Sequence, residues 1–211
     1  MELQVYSSFS MGANMYVLSS GKDIILIDPC VSPAKLSGSD FSVKAILITH
    51  GHFDHITDAD AYVEKFGCPV YISSGDKDML SDPRKNHAAS FGMDLSVNTT
   101  PVVFTKDIYS HTDFGIDEPF RLEIIKTPGH TSGSVCFLFT FPDMPEKKWM
   151  FTGDTLFQLS IGRTDLGGSD RDMRESLKLL SKMEDDIDCF PGHGERTTIG
   201  FEKKKNPYMA R

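Results

Sequence analysis

The chain has 211 residues, 39% of them hydrophobic and 25% charged, and its formal net charge is −8. This length and apolar content are sufficient for one substantial core, so we expect a single domain over residues 1–211. The acidic balance argues against a nucleic-acid partner, because phosphate binding needs a basic surface and the only Lys run is residues 203–205.

The N-terminal third predicts short strands separated by polar turns. Segments rich in β-branched or aromatic residues lie at 3–6, 15–18, 24–27 and 45–48. A helix over 58–66, ended by Gly67, precedes another strand at 69–72. This β-α-β order predicts a sheet covered by helices.

The middle of the chain, residues 81–118, has the least regular pattern. Loops of this length are usually functional or mobile. We therefore hypothesise that residues 86–91 and 109–114 border a substrate entrance. His87 and His111, which lie in these segments, are expected to be exposed rather than metal-binding.

Residues 171–183 predict the clearest helix of the chain. Met173, Leu177 and Leu180 form one apolar stripe, and Ser169 or Asp170 precedes it as a cap. Such a stripe is typical of a helix that packs on a core. Periodicity alone thus predicts a mixed α/β domain.

A His-x-His-x-Asp-His cluster follows the apolar run at 45–48. It consists of His50, His52, Asp54 and His55 within the sequence T-H-G-H-F-D-H-I-T. Three imidazoles and a carboxylate in six residues suit a divalent transition metal that takes nitrogen and oxygen ligands. The alternative is a polar loop that is rich in histidine by chance.

Three further candidate ligands follow other strand-like segments, each beside a glycine. His130 follows the segment 122–125, Asp154 follows 149–151, and His193 follows 187–190. Glycine lets the backbone approach a crowded site without a steric penalty. Four ligands in one loop cannot complete two metal shells, and these three residues supply what a binuclear site needs.

This ordered set, with Asp28 at the end of the segment 24–28, resembles the metallo-β-lactamase superfamily from about Asn14 to the C-terminus. The resemblance implies an αββα sandwich, with two mixed β-sheets flanked by helices. It assigns one metal to His50, His52 and His130, and a second metal to Asp54, His55 and His193. Asp154 would bridge both ions, and Asp28 would orient the ligand loop through hydrogen bonds. Position 52 is His, whereas the di-iron flavoprotein branch is expected to carry Glu there.

Within the superfamily, the segments 151–166 and 197–209 are similar to glyoxalase II-like hydrolases of the short single-domain type. This likeness implies a thioesterase acting on S-lactoylglutathione or a related acyl thioester. Two metal ions can share a water and lower its pKa toward 7, which supplies hydroxide for hydrolysis, and Asp54 would orient that hydroxide. Zinc is the first expectation for the metal, with iron or manganese as alternatives.

Arg163 is the candidate for binding a substrate carboxylate, because a guanidinium can pair with it bidentately. The alternative is an internal ion pair with Asp165. Full-length glyoxalase II is expected to add a C-terminal helical domain that contacts glutathione, yet only 18 residues follow His193 (211 − 193). We therefore expect no such domain, and either weak binding of the substrate or a smaller thioester.

Two alternative functions remain open. Persulfide dioxygenases of the same superfamily also carry a Gly-Arg-Thr-Asp segment and are expected to use one iron, which His50, His130 and Asp154 would hold here. Ile161 and Leu166 depart from the pattern of that family, which favours the hydrolase. A non-catalytic metal-binding domain is the other alternative, and loss of turnover on mutation of Asp54 would argue against it.

The apolar runs, the N-terminus and the cysteines bear on where the protein is located in the cell. The apolar runs are strand-sized, and the N-terminus lacks a basic segment followed by a hydrophobic stretch, so we expect neither a signal peptide nor a membrane span. The four cysteines are dispersed without a Cys-x-x-Cys pair and are expected to be free buried thiols. These features favour the cytoplasm.

Overall fold

Two six-stranded β-sheets form the centre of the protein in a computed structural model, which describes residues 1–36 and 41–209. The strands follow the short apolar segments of the sequence, because β-branched and aromatic side chains suit a half-buried pleated surface. In chain order they are β1 (Glu2–Ser7), β2 (Asn14–Ser20), β3 (Asp23–Ile27), β4 (Ser42–Leu47), β5 (Val70–Ile72), β6 (Val102–Val103), β7 (Ile108–Ser110), β8 (Arg121–Lys126), β9 (Val135–Phe141), β10 (Met144–Gly153), β11 (Asp188–Pro191) and β12 (Thr197–Thr198).

Both sheets are mixed. The first has the order β1-β2-β3-β4-β5-β6, antiparallel between β1, β2 and β3 and parallel from β3 to β6. The second has the order β12-β11-β10-β9-β8-β7, in which only β10 and β11 pair in parallel. Each sheet therefore contains one half of the chain.

Four α-helices connect or follow these strands within the described residues: α1 (Phe53–Ile56), α2 (Ala59–Phe66), α3 (Asp170–Leu180) and α4 (Ile199–Lys205). The predicted stop of α2 is found at Gly67, which has the left-handed φ of 66° that favours glycine. Ser169 caps α3 by accepting a hydrogen bond from the backbone N–H of Asp172. This helix ends before the predicted residue 183, because the next N–H groups bond three residues back in a tighter turn.

The alternation of side chains along β2 separates two cores. Tyr16 and Leu18 point between the sheets, where they join a cluster that includes Phe137, Phe151 and Phe190. The intervening Val17 points outward and packs in a second cluster with residues of α2. Outward side chains of the second sheet form a third cluster with α3 and α4.

The layers therefore run helix, sheet, sheet, helix, and the predicted αββα sandwich is confirmed. None of the helices in the described ranges is long and apolar enough to cross a bilayer.

The irregular segment 81–118 is more structured than its sequence predicts. It includes β6, β7 and two short 3-10 turns at Ala88–Phe91 and His111–Phe114. The hypothesis that residues 109–114 border the substrate entrance is wrong, because Tyr109 and Phe114 are buried between the sheets. Their rings pack with that of Tyr71, which explains the scattered aromatics of this segment.

Candidate metal centre

The seven predicted ligands meet at one edge of the sandwich. The first four follow β4, and the other three follow β8, β10 and β11. All four strands end at this edge, so their loops converge there although the ligands are far apart in sequence.

One group of ligands consists of His50, His52 and His130. Each offers a nitrogen, and the three nitrogens lie within 4.8 Å of one another. The shortest approach joins His52 Nδ1 and His130 Nε2 at 2.8 Å. All three side chains are buried, and three imidazoles at this spacing suit one divalent ion with a position left for water or substrate.

The second group consists of Asp54, His55 and His193, whose candidate ligand atoms also lie within 4.8 Å of one another. His193 Nε2 is 3.3 Å from both His55 Nε2 and Asp54 Oδ2. His55 is fully buried, whereas the side chain of His193 is 28% exposed, so this group faces the outside more than the first.

Asp154 lies between the two groups. Its Oδ2 is 3.4 Å from His130 Nε2 on one side and 3.6 Å from His193 Nε2 on the other. Its Oδ1 is 3.4 Å from His55 Nε2. This carboxylate therefore reaches ligands of both groups, which is the position that a bridging ligand requires.

The outer nitrogens of three histidines have acceptors that fix their tautomers. His55 Nδ1 is 2.9 Å from Asp28 Oδ2, and His130 Nδ1 is 2.6 Å from the carbonyl oxygen of Arg163. Thr49 Oγ donates to Asp28 at 2.6 Å and is therefore free to accept from His50 Nδ1, which is 3.0 Å away. With the proton held at Nδ1, each Nε2 lone pair is directed into the site.

Unpartnered buried atoms test whether metal ions fit this cluster. His50 Nε2, His52 Nε2 and Asp154 Oδ1 are buried and have no hydrogen-bond partner. Buried polar atoms normally have a hydrogen-bond partner. Two of these three atoms, His50 Nε2 and Asp154 Oδ1, are the atoms that the contacts above direct toward a metal. The donor set of imidazole nitrogens and carboxylate oxygens suits divalent transition metals, so the residues present fit two such ions.

The acid and base groups perturb one another strongly. Burial alone would raise the pKa of Asp54 and of Asp154, but neighbouring imidazoles, chiefly that of His55, outweigh it and lower both. Burial and the adjacent imidazoles lower the pKa of His52 to about 3. Such shifts keep the carboxylates ionised and His52 neutral, the forms that bind metal. Burial alone would lower the pKa of His55 and that of His193, but the same carboxylates outweigh it and raise both, so metal binding would displace protons from these two imidazoles.

The loop that carries His193 is tied to the other half of the chain. Asn14 Nδ2 donates to the carbonyl oxygens of Pro191 and Gly194, and Tyr16 Oη donates to that of Pro191 at 2.6 Å. At Gly192 an added Cβ would lie 2.2 Å from Asp154 Oδ1. Glycine at this position therefore allows the loop to approach the bridging carboxylate.

Asp76 is a further site residue that the sequence analysis missed. It is fully buried and accepts hydrogen bonds from the backbone N–H of Gly51 at 2.9 Å, that of Gly133 at 2.8 Å and the hydroxyl of Thr131 at 2.6 Å. It thus joins the loop of His50 and His52 to the loop of His130. The only available signal was its place in a Ser-Ser-Gly-Asp stretch directly after β5.

A cavity of about 340 Å³ lies against the ligands His52, Asp54, His130 and Asp154. His87 also lines it and is only partly exposed, which differs from the predicted exposure. Its ring lies 5.1 Å from that of His52, and its Nε2 is 3.1 Å from the carbonyl oxygen of Leu166. Its φ of 68° is unusual for a residue with a side chain and costs about 1–3 kcal/mol. The hypothesis that residues 86–91 border the entrance agrees with this position.

Arg163 lies at the rim of the same cavity. Its guanidinium pairs bidentately with Asp165, with Nε to Oδ1 and Nη2 to Oδ2 both 2.6 Å. This is the internal ion pair that the sequence analysis gave as the alternative to binding a substrate carboxylate. A substrate carboxylate would have to compete with Asp165 for the Nε–Nη2 edge of the guanidinium.

Known proteins are similar to this chain in sequence and in fold. Residues 11–193 match the family model of the metallo-beta-lactamase superfamily. The chain is 34% identical to the hydroxyacylglutathione hydrolase GloC of Haemophilus influenzae, over 89% of this chain and 88% of that protein.

Among solved structures, the BLEG-1 B3 metallo-beta-lactamase superposes with a TM-score of 0.87 at 29% identity, over the full length of both chains. TTHA1623 in a di-iron-bound form superposes with a TM-score of 0.76 at 29% identity, over 97% of this chain and 99% of that one. With the matched fold and the converging histidines and carboxylates, these similarities show that the chain belongs to the metallo-β-lactamase superfamily of metal-dependent hydrolases.

Proposed function

We propose that the protein is a thioesterase of the glyoxalase II type, which hydrolyses acyl thioesters such as S-lactoylglutathione with two divalent metal ions. The observation that carries this proposal is the position of Asp154 between two three-ligand groups, with a cavity open against both. The likeness to GloC, which is named a hydroxyacylglutathione hydrolase, supports the choice of substrate. Zinc is the expected metal, and the di-iron form of TTHA1623 makes iron the first alternative.

Two bound ions would lower the pKa of a water shared between them and polarise a carbonyl oxygen, which is the chemistry that hydrolysis needs. The chain's own residues set the geometry for that reaction. Asp54 lines the cavity, where its carboxylate would orient the attacking water. Asp154 lies between the two groups and contacts both. The carbonyl of Arg163 and the carboxylate of Asp28 keep His130 and His55 in the required tautomers.

In the reaction a C–O bond forms from water to the acyl carbon, and the C–S bond breaks with its electron pair going to sulfur. The products are a carboxylate and a thiol. A thiol with a pKa near 8.5 leaves as the thiolate with little help from an acid. No Lys, Tyr or Cys lines the cavity within the described residues, and His87 is the one lining histidine outside the predicted ligand set that could serve as a general acid. A thioester is the acyl substrate that depends least on such an acid.

The first test is to purify the protein without added metal, quantify its metals, and assay the same sample with S-lactoylglutathione and with glutathione persulfide. The proposal predicts about two ions per chain and thioester hydrolysis without oxygen uptake. One iron per chain with oxygen uptake and no hydrolysis would establish the persulfide dioxygenase alternative instead. A β-lactam substrate belongs in the same panel, because BLEG-1 is named a metallo-beta-lactamase.

Asp54→Asn separates a catalyst from a purely structural metal site. We expect this variant to lose more than about 100-fold in kcat, because a positioned acid–base or orienting group contributes about 10²–10⁴-fold. Metal content and Tm measured on the same preparation show whether the ions remain bound. A variant that loses stability but keeps its specific activity would contradict the catalytic role.

The proposal also includes a cytoplasmic location. The four cysteines of the chain are free and buried, which suits a reducing compartment. Fractionation of cells that produce the protein tests this part independently of the activity.

A further inference from the structure

We propose that the cavity beside the metal centre selects thioesters with an apolar acyl group on a small uncharged thiol, in preference to acylglutathiones. This inference rests on the proposed thioesterase function and specifies its substrate class. The wall of the cavity, its charge and its size support it separately.

Six of the twelve described residues that line the cavity are apolar. They come from four separate segments of the chain and are Met11, Phe53, Phe91, Phe157, Ile161 and Leu166. A binding pocket lined mainly by such groups, with few polar ones, favours an apolar ligand group.

Two of these apolar residues are exposed, although the protein has a large core in which other apolar side chains are buried. Phe91 is 53% exposed and Met11 is 37% exposed. The ring of Phe91 lies 5.1 Å from that of the buried Phe53, and the ring of Phe157 lies 5.9 Å from that of the ligand His193. Exposed apolar side chains that line a cavity at a candidate metal site indicate that a ligand covers them.

The charge of the cavity opposes glutathione as the carrier. Glutathione brings two carboxylates, and Arg163 is the one Lys or Arg among the described residues that line the cavity. Its Nε and Nη2 each donate a hydrogen bond of 2.6 Å to Asp165. Asp165 occupies the Nε–Nη2 edge and neutralises the guanidinium. A substrate carboxylate therefore either displaces Asp165 or binds the remaining Nη1 edge of a cation that is already paired, so the net gain in binding is small.

The volume of about 340 Å³ also favours a small group. Ligand pockets span about 300–1,000 Å³, and this one lies near the lower limit.

The test compares four substrates that combine two acyl groups with two thiols: lactoyl and hexanoyl, each on glutathione and on N-acetylcysteamine. We expect kcat/KM to be highest for hexanoyl-N-acetylcysteamine and at least about tenfold lower for S-lactoylglutathione, in line with 10–200-fold effects of small apolar groups in pockets. If S-lactoylglutathione is the best of the four, the preference is overturned and the thioesterase function stands. If none is hydrolysed, the thioesterase function itself fails.

Phe91→Ala tests the apolar wall. We expect about a tenfold loss of kcat/KM for hexanoyl thioesters and a smaller change for lactoyl thioesters, since only the former contact the ring. Leu179→Ala is the matched control, because Leu179 is 45% exposed on α3 and does not line the cavity. Equal losses for both acyl groups would overturn the assigned contact.

Asp165→Asn tests the charge argument by a gain of function. Removing the partner carboxylate frees the guanidinium of Arg163, so KM for S-lactoylglutathione should fall by about threefold or more, consistent with the modest strength of an exposed ion pair. The KM for N-acetylcysteamine thioesters should stay the same. Asp143→Asn makes the same charge change in the exposed turn at the other end of β10 and is the control. An unchanged KM for the glutathione substrate would overturn the view that Asp165 competes for Arg163.

Discussion

Asp28 shows how a residue that does not face the ligand cavity can determine the chemistry of the site. Its Oδ1 accepts from the backbone N–H of Thr49 at 2.8 Å, and its Oδ2 accepts from the Thr49 hydroxyl and faces His55 Nδ1. The backbone is left-handed, with a φ of 51°, a conformation that Asp and Asn tolerate better than other residues with a Cβ. One carboxylate thereby fixes the tautomer of His55 directly and that of His50 through Thr49.

We predict that Asp28→Asn weakens metal binding about 10- to 100-fold, the usual effect of losing a partner of a metal-binding histidine. Asparagine tolerates the same backbone conformation, but its NH₂ group cannot accept the proton of His55 Nδ1. The measurement is a competition titration with a chromogenic chelator, and circular dichroism verifies the fold. Asp143→Asn serves as the control, and an affinity within twofold of the parent would contradict the role assigned to Asp28.

The convergence of the seven candidate ligands was predictable because their residue types are poor core and turn formers, and their repeated placement after strand-like runs is typical of a metal site. Asp76 and His87 were not predictable in this way. Asp76 acts through backbone N–H groups of glycines, which leave no pattern in the sequence, and a lone histidine such as His87 is more often a surface residue.

Helix α4 acts on the site through a buried carboxylate. Glu202 is fully buried and accepts from the backbone N–H of Leu159 and from Asn206 Nδ2, both at 2.8 Å, and from the hydroxyl of Thr197. Asn206 in turn donates to the carbonyl of Ser160 at 3.0 Å. The helix therefore fixes the loop at residues 157–160, one side of the cavity.

We predict that Glu202→Ala lowers the free energy of unfolding by at least about 2 kcal/mol, because it leaves buried donors without acceptors. In a chain of this size the loss corresponds to a Tm lower by about 4–8 °C. Glu202→Gln should retain most of the stability, since its oxygen can accept from Leu159 and Asn206 while its NH₂ donates to Thr197. Thermal melts of both variants check this, and equal losses would argue that packing alone accounts for the effect.

At the scale of elements, β1 to β5 and α2 could be predicted to within a few residues, because apolar alternation and a glycine stop depend on local sequence. The strands β6, β7, β9 and β12 were not predicted. The short helix α1 within the ligand cluster could not, because its four residues are too few for a period. The two-sheet sandwich came from the resemblance to a family, and the order of strands in each sheet was not predicted, since strand pairing depends on long-range contacts. The burial of Tyr109 and Phe114 was missed for the same reason.

The metal centre joins the two halves of the molecule. The first sheet supplies four ligands through one loop, and the second supplies three through separate loops. Between them the sheets share an aromatic core that does not depend on metal. We therefore expect bound ions to add to the stability of a chain that folds without them.

We predict that removal of the metals leaves the protein folded but lowers its Tm. A ligand at 100 times its Kd stabilises the folded state by about 2.7 kcal/mol per site, which corresponds to about 5–10 °C in a chain of this size. Calorimetry of the chelator-treated protein, before and after titration with zinc, measures the shift. A melting curve that does not respond to zinc would contradict the assignment of the centre.

The cysteines give a prediction that concerns the whole core. Burial raises the pKa of Cys68 and that of Cys136 to about 11, and that of Cys30 to about 12. Thiolates are the reactive form, so a thiol reagent at neutral pH should modify fewer than about one cysteine per chain in minutes. All four should react in denaturant. Rapid reaction of the native protein would indicate a core that opens more often than this packing implies.

The tie between Asn14 and the loop of His193 also links the completion of the centre to the order of synthesis. The nitrogens of His50, His52 and His130 are present once residue 130 has been made, whereas Asp54 and His55 must wait for His193. A domain folds as a unit, so we expect both groups to form only when β11 and the loop of His193 pack against Asn14. The candidate centre is then among the last parts of the protein to be completed during synthesis.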